Sequence, residues 1–251
     1  MHTLFISDLH LSADHARSMA AFQYFIDTLT LQACPEQSRR AEALYILGDL
    51  FEYWAGDDNL HDPFHARVIA ALQGVVARNI KVYLMQGNRD LLMGNVLAQT
   101  IGATLLDDPT MLELYGTPTL LSHGDTLCTD DVEYQQYRAQ VHDPEFQKKF
   151  LAQPLATRKA YIEQLRQHST IAKQGKDSAI MDVNDDAVAA LLRQHGYPRL
   201  IHGHTHRPGF HEHRVDGHRC ERWVLSDWDK PASALQCDAE GCRAISISGT
   251  P

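Results

Sequence analysis

Leu44 to Leu47 is an apolar run that ends at Gly48 and delivers a carboxylate, Asp49, immediately afterwards. Such a run reads as a buried strand, and a glycine at its end lets the backbone turn where a side chain would crowd. The same grammar, an apolar strand followed by a polar tip, recurs four more times. Its tips are Asp8 with His10, then Asn88, then His123, then His204 with His206. A chain that brings five such tips together has to place its chemistry along one edge of a sheet. Every tip carries an oxygen or imidazole donor and none carries a thiol.

The spacing between the strands sets the class. Residues 3–8 read as a strand, Ala13 to Leu31 as a helix with Met19, Phe22, Phe25, Ile26 and Leu29 at helical spacing, and Ala43 to Leu47 as the second strand. A helix over Phe64 to Arg78 leads to a third strand, Lys81 to Met85, and this βαβαβ rhythm implies parallel strands covered by helices. Thr110–Tyr115 and Pro118–Ser122 read as a hairpin turning at Gly116. Strands are expected again at Arg199–His202, Arg222–Leu225 and Ala244–Ile247. From Asp130 to about Asp186 the rhythm stops in a long, polar, helical stretch broken by Pro144, Pro154 and Gly175. The expected organisation is a core of residues 1–129 and 187–251 with a helical cap, 130–186, inserted in it. The connection 34–40 reads as exposed and carries no functional assignment.

At 251 residues and 44% hydrophobic, the chain can bury a core of this size. Its first residues already form a strand and its tip, which leaves no room for a signal peptide, and no apolar run approaches the roughly 18 residues of a membrane span. The cytoplasm is therefore the expected location, with any membrane contact peripheral. Five cysteines in odd number and without close pairing argue for reduced thiols. A formal charge of −9 disfavours a nucleic-acid partner, and nothing in the sequence identifies a protein partner.

Carboxylate, amide oxygen and imidazole together are ligands for Mn²⁺, Fe²⁺ or Zn²⁺, and the oxygen content favours Mn²⁺. Asp8 and His10, two residues apart, point to the same side if the backbone is extended, and so do His204 and His206. Asp49 reads as the shared centre of a two-metal site. Two metals about 3.5–4 Å apart support hydrolysis of a phosphate ester or anhydride. Walker, dinucleotide and nucleophile-elbow signatures are absent from the sequence.

The set D-x-H, Gly48-Asp49, Gly87-Asn88-Arg89-Asp90, His123-Gly124-Asp125 and Gly203-His204-Thr205-His206 resembles the calcineurin-like metallophosphoesterases. That resemblance implies an α/β fold, a four-layer αββα sandwich of two mixed sheets. It also implies a ligand set: Asp8, His10, Asp49 and His206 for one metal, and Asp49, Asn88, His123 and His204 for the other. Arg89 stands where many members carry a histidine, so that histidine's role as an acid is not available here. The form Gly87-Asn88-Arg89-Asp90, the stretch Tyr45–Glu52, the stretch Ser122–Asp131, Ala179–Asn184 and Ile201–Pro208 resemble a narrower family, the UDP-2,3-diacylglucosamine hydrolases of lipid A biosynthesis, almost end to end.

The narrower resemblance implies metal-activated water attacking the α-phosphorus of UDP-2,3-diacylglucosamine, giving UMP and 2,3-diacylglucosamine 1-phosphate (lipid X). Asp49, Asn88 and His123 would be catalytic. Asn88, Arg89, Asp131, Tyr134, Arg166, Ser169, Lys173, Lys176 and His204 would contact substrate, with Lys173 where the family often has Asn. A broad nucleotide pyrophosphatase or phosphodiesterase on soluble substrates is the alternative, and it leaves the cap motifs unexplained. Within Arg138–Lys176, eight basic residues stand against three acids. That excess, beside an apolar stripe at Phe146, Phe150, Leu151, Leu155, Tyr161, Ile162 and Leu165, is read either as a solvated and packing face or as an approach to an anionic membrane, peripheral on the cytoplasmic face of the inner membrane. In the second reading Lys148, Lys149, Arg158 and Lys159 meet the lipid headgroups.

Overall fold

The computed structural model describes residues 1–31, 41–173, 180–229 and 232–247, with only the backbone for 30–31 and 167–173. The chain opens with β1 (His2–Ile6), α1 (Ala16–Leu31), β2 (Ala41–Leu47), α2 (Pro63–Ala77) and β3 (Lys81–Met85), the expected alternation. A short helix, α3 (Asn95–Ile101), and β4 (Thr104–Leu106) follow. The sequence reading passed over both, because α3 has only two turns, bracketed by Gly94 and Gly102. The hairpin is β5 (Thr110–Leu114) and β6 (Thr117–Ser122), and the helical stretch is α4 (Val132–Val141), α5 (Pro144–Leu151) and α6 (Leu155–Lys173). The chain then runs through α7 (Asp185–Gln194), β7 (Arg199–His202), β8 (Gly209–Val215), β9 (His218–Val224), β10 (Ser233–Asp238) and β11 (Gly241–Ser246). β8 and β10 were not expected. In β8, Gly-Phe-His-Glu-His-Arg-Val is a largely exposed edge strand, so burial leaves little apolar signature there.

Two sheets form, one of six strands in the order β11-β10-β1-β2-β3-β4 and one of five in the order β5-β6-β7-β9-β8. β1, β2, β3 and β4 are parallel, as are β6, β7 and β9, while β10, β11, β5 and β8 join antiparallel. Both sheets are therefore mixed. Strand alternation divides the core into layers. Leu4, Ile6, Leu44, Ile46, Val82 and Leu84 face helices α1–α3, and their neighbours Phe5, Leu47 and Met85 face Leu121, Ile201 and Leu225 of the other sheet. Leu120, Leu200 and Val215 pack on Val188 and Leu192 of α7. The result is the expected four-layer αββα sandwich. Parallel pairing puts the carboxyl ends of β1, β2, β3, β6 and β7 on one edge, which is where the five polar tips emerge.

The reduced-thiol reading fails at one pair. Cys237 and Cys242 sit directly opposite each other on β10 and β11 and are joined as a disulfide. Cys128 and Cys220 are free and buried.

Helices α4 and α6 lie against the loops that carry the tips, and charge pairs hold them there. Arg138 bonds Asp125 at 2.8 Å, Arg166 bonds Glu52 at 3.2 Å, Lys159 bonds Asp62 at 3.1 Å, and Arg158 bonds Asp58 and the carbonyl of Ala55. Arg158 is only 2% exposed. Four of the eight basic residues thus face core acids, and Arg158 and Lys159 are corrected from headgroup contacts to docking contacts. Of the four residues assigned to the membrane, Lys148 and Lys149 remain exposed.

Candidate metal centre

Asp8 and His10 do not lie in extended backbone. β1 ends at Ile6, and Asp8, His10, Asp49, His204 and His206 all adopt left-handed conformations, with φ of 55°, 48°, 53°, 70° and 54°. Five of the seven proposed ligands therefore sit where a non-glycine residue costs about 1–3 kcal/mol. Hydrogen bonds between tips hold them: Asp8 N–H to Gly48 O at 3.2 Å, and His10 N–H to Asp49 O at 3.0 Å. Asp90, fully buried, gathers the N–H groups of Gly87, Asp49 and Phe51 at 2.9, 3.2 and 3.2 Å and so locks the second and third tips together. A side chain at Gly48 would collide with the imidazole of His123, and one at Gly87 with Asp49.

The donor atoms converge as two neighbouring sets. Asp8, His10 and His206 bring one ligand atom each within 4.8 Å of the others, and so do Asp8, Asp49 and His123. Asp49 Oδ2 lies 3.9 Å from both His10 Nε2 and His123 Nε2, which places it between the sets. Asn88 Oδ1 lies 3.1 Å from His123 Nε2 and 2.9 Å from His204 Nδ1. All seven proposed ligands thus meet in one place.

The outer contacts fit divalent cations. His10 Nδ1 is 3.0 Å from Glu52 Oε2, close enough for charge attraction though off the line of a hydrogen bond, and His206 Nδ1 is 3.6 Å from Asp227 Oδ2. His123 Nδ1 faces Leu47 O at 2.9 Å. With these nitrogens turned outward, His10 and His206 present Nε2 to the same spot, 3.2 Å apart, an arrangement that a shared cation satisfies. Burial alone would raise the Asp8 carboxyl, but His206, His123 and His10 hold it below the usual carboxylate range. Burial likewise opposes the charging of His123, yet Asp49, Asp125 and Asp8 lift it to about 9. The acids draw positive charge to this point, and a bound cation would supply it in place of the proton.

The centre opens into a cavity of ≈ 580 Å³, lined at one end by His10, Asp49, Asn88, His204 and His206 and at the other by Tyr137, Phe146, Phe150, Tyr161, Ile162 and Leu165. Arg89, Asp131, Tyr134 and Arg166 line it too. Asp131 also caps α4 by accepting from Tyr134 N–H at 3.1 Å. The Tyr134 hydroxyl donates to Asp125 at 2.7 Å, which leaves its ring, packed 5.5 Å from that of His204, as its face toward the cavity. Ser169 and Lys173 belong to α6, but their side chains lie outside the described residues, and Lys176 lies outside them altogether.

Residues 1–208 match the family described as calcineurin-like phosphoesterase. The chain belongs to that family. Among curated proteins this phosphoesterase is 49% identical to the UDP-2,3-diacylglucosamine hydrolase of Aromatoleum aromaticum, over 96% of this chain and 95% of that one. It is 44% identical to the protein of the same name from Edwardsiella ictaluri, over 100% and 94%. The Xanthomonas oryzae pv. oryzae protein of that name is 48% identical, over 96% and 97%. Among solved structures, a novel archaeal phosphodiesterase aligns with a TM-score of 0.50 at 14% identity, over 98% of this chain and 99% of that one, which speaks for the fold alone.

Glu52, Asp90, Asp125 and Asp227 were not singled out from the sequence as site residues. Asp227 had a signal: it follows β9 after Leu225-Ser226, the same strand-then-tip grammar as the other five.

Proposed function

We propose that this phosphoesterase hydrolyses UDP-2,3-diacylglucosamine to UMP and lipid X, a step of lipid A biosynthesis, with residues 130–186 as its cap. The curated relatives of nearly equal length carry that name. The observation that carries the reading is the cavity, which joins a phosphoester-hydrolysing centre to an apolar wall supplied by α4, α5 and α6. A soluble nucleotide needs no such wall, and acyl chains do.

Two divalent cations, with Mn²⁺ favoured by the donor set, would be held by Asp8, His10, Asp49 and His206 and by Asp49, Asn88, His123 and His204. When bound they would lower the pKa of water and stabilise charge on phosphoryl oxygens. The protein's own share is placement. Arg89 offers a planar fork to a phosphate oxygen, and its backbone N–H, bonded to Asp49 Oδ1 at 2.8 Å, ties that fork to the centre. Asn88 turns its amide into the site, and Arg166 closes the cavity from α6. The apolar wall offers contact area for acyl chains at the far end. Ser169, Lys173, Lys176 and Asp131 complete the substrate contacts in this reading.

Access to such a substrate requires a membrane surface, and the reading places the protein peripherally on the cytoplasmic face of the inner membrane. Among the described residues no helix is long and apolar enough to cross a membrane. The support for surface contact is the exposure of Leu151 beside Lys148 and Lys149 on α5.

Hydrolysis in ¹⁸O-labelled water, read by mass spectrometry, tests both substrate and direction of attack. UMP and lipid X are expected, with the label in UMP. Label mainly in lipid X would overturn the site of attack. Equal turnover of unacylated UDP-sugars would replace the lipid substrate with a soluble one.

A further inference from the structure

We propose that Glu52 is a positioning residue that ties the proposed metal ligand His10 to the two guanidinium groups, Arg89 and Arg166, that face the substrate's diphosphate. The substrate half of this statement rests on the reading above, and the metal half does not.

Glu52 is 8% exposed and stands between the core and α6. Its two oxygens are divided. Oε2 faces His10 Nδ1 at 3.0 Å, while Oε1 accepts from Arg166 Nε at 3.2 Å and lies 3.6 Å from Arg89 Nη1. Its backbone is fixed in the same neighbourhood, because Glu52 N–H bonds Leu11 O at 3.1 Å and Phe51 pairs with Leu11, the residue after His10. One carboxylate therefore sets the ring of a ligand, a phosphate-facing arginine of the core and an arginine of α6.

The chemistry requires a carboxylate at this point. Arg166 donates a hydrogen bond to it, while His10 Nδ1 and Arg89 Nη1 face it at charge-contact distance, and a carboxylate offers negative charge and an acceptor at both oxygens and donates at neither. An amide of the same size has one acceptor and one donor end. If its oxygen meets Arg166, its NH₂ faces His10 Nδ1, and that ring relaxes only by moving its proton to Nε2, the atom aimed at the metal centre. If its oxygen meets His10, its NH₂ faces two guanidinium groups. Either way one side of the link is lost. Without the charge, Arg89 and Arg166 also lose the acid they share, and Arg166 keeps Glu163, at 2.9 Å on its own helix.

The test uses the full-length protein. Glu52→Gln is titrated with Mn²⁺ by calorimetry after chelation, and kcat and KM for UDP-2,3-diacylglucosamine are then measured at saturating Mn²⁺, with Arg166→Met and the double variant alongside. The expected result is a Mn²⁺ Kd weakened about 10–100-fold, the usual cost of losing an outer-shell partner. At saturating metal KM should stay raised, and Glu52→Gln should add little to KM once Arg166 is gone. A parent-like Mn²⁺ Kd, or KM effects of the two substitutions that multiply, overturns the proposal. Glu52→Asp, which keeps the charge at shorter reach, is the folding control and should give intermediate values of both constants. If the parent does not turn over the acylated substrate, the functional reading fails, and the Mn²⁺ titration still decides the role of Glu52.

Discussion

The backbone N–H of His204 donates to both carboxylate oxygens of Asp8, at 3.1 and 2.9 Å, across 196 residues of sequence. A proposed ligand from the first strand thereby shapes the turn that carries two proposed ligands from the seventh. Neither turn is stable by itself, since both contain left-handed residues with side chains, and each is held by the other. The site is a property of two sheets meeting rather than of any one loop.

Asp49 has the least redundant position in this arrangement, because its carboxylate faces His10 on one side and His123 on the other. Asp49→Ala is expected to abolish hydrolysis and to weaken metal affinity by more than the ~10–100-fold that outer contacts are worth, so that the purified variant holds less metal. Metal analysis of the purified variant checks this. Two metals retained with near-normal turnover would remove Asp49 from the shared position.

Much of this was legible in the sequence because apolar strands and polar tips leave a local pattern. The seven proposed ligands and the αββα layers follow from that pattern and from the family resemblance. How Asp8 and His10 reach one side was not legible. Alternation in a strand gives the right side for a reason that does not apply, since left-handed backbone imposed by Gly48 O, Asp49 O and the His204 turn has no signature in the residues that adopt it. The partners of Arg138, Arg158, Lys159 and Arg166 were hidden for a similar reason. A local excess of positive charge looks the same from the sequence whether it faces lipid or the acids Asp125, Asp58, Asp62 and Glu52 across an internal contact.

The α6 contacts make a pH prediction. The hydrogen bond from Arg158 holds the Asp58 carboxyl below its ordinary value of 3.8. A depressed folded pKa means that this contribution to stability is full above the unfolded value and is lost as pH falls through the folded one. Asp58→Asn should therefore melt below the parent at pH 7, and the gap should narrow as pH falls below the ordinary carboxylate value toward the depressed folded one. Arg158→Met, which also strands the buried carbonyl of Ala55, should cost about 1–3 kcal/mol more than Asp58→Asn at pH 7. Thermal melts across the pH series read both effects.

Lys148 and Lys149 separate membrane attraction from docking. Both are exposed on α5, away from the pairs that seat α4 and α6. Neutralising the two should leave the melting temperature unchanged and weaken binding to anionic vesicles by about 1 kcal/mol per lysine at low salt, with the difference fading as salt is added. Vesicle co-sedimentation at two ionic strengths measures it. Indifference to both charges would leave Lys148 and Lys149 as solvated surface.

Selection of a lipid substrate depends on the far wall of the cavity. Ile162 and Leu165 line it while remaining only half-buried, so shortening them removes contact area without emptying the core, whereas Phe150, 8% exposed and packed on Tyr161, is bound to cost stability as well. Each acyl methylene sheltered there contributes about 0.8 kcal/mol, so a wall that covers several of them dominates affinity for a long-chain substrate and adds little for a short one. Ile162→Ala and Leu165→Ala should therefore raise KM for the long-acyl substrate with kcat nearly unchanged, and lower the ratio of kcat/KM between long- and short-acyl substrates. A polar replacement at either position should lower the ratio further. Arg89→Lys provides the contrast, since it acts at the phosphate end and should reduce kcat/KM for both substrates alike. A ratio unchanged in every folded wall variant would make the apolar face a packing surface between helices and remove the structural argument for a lipid.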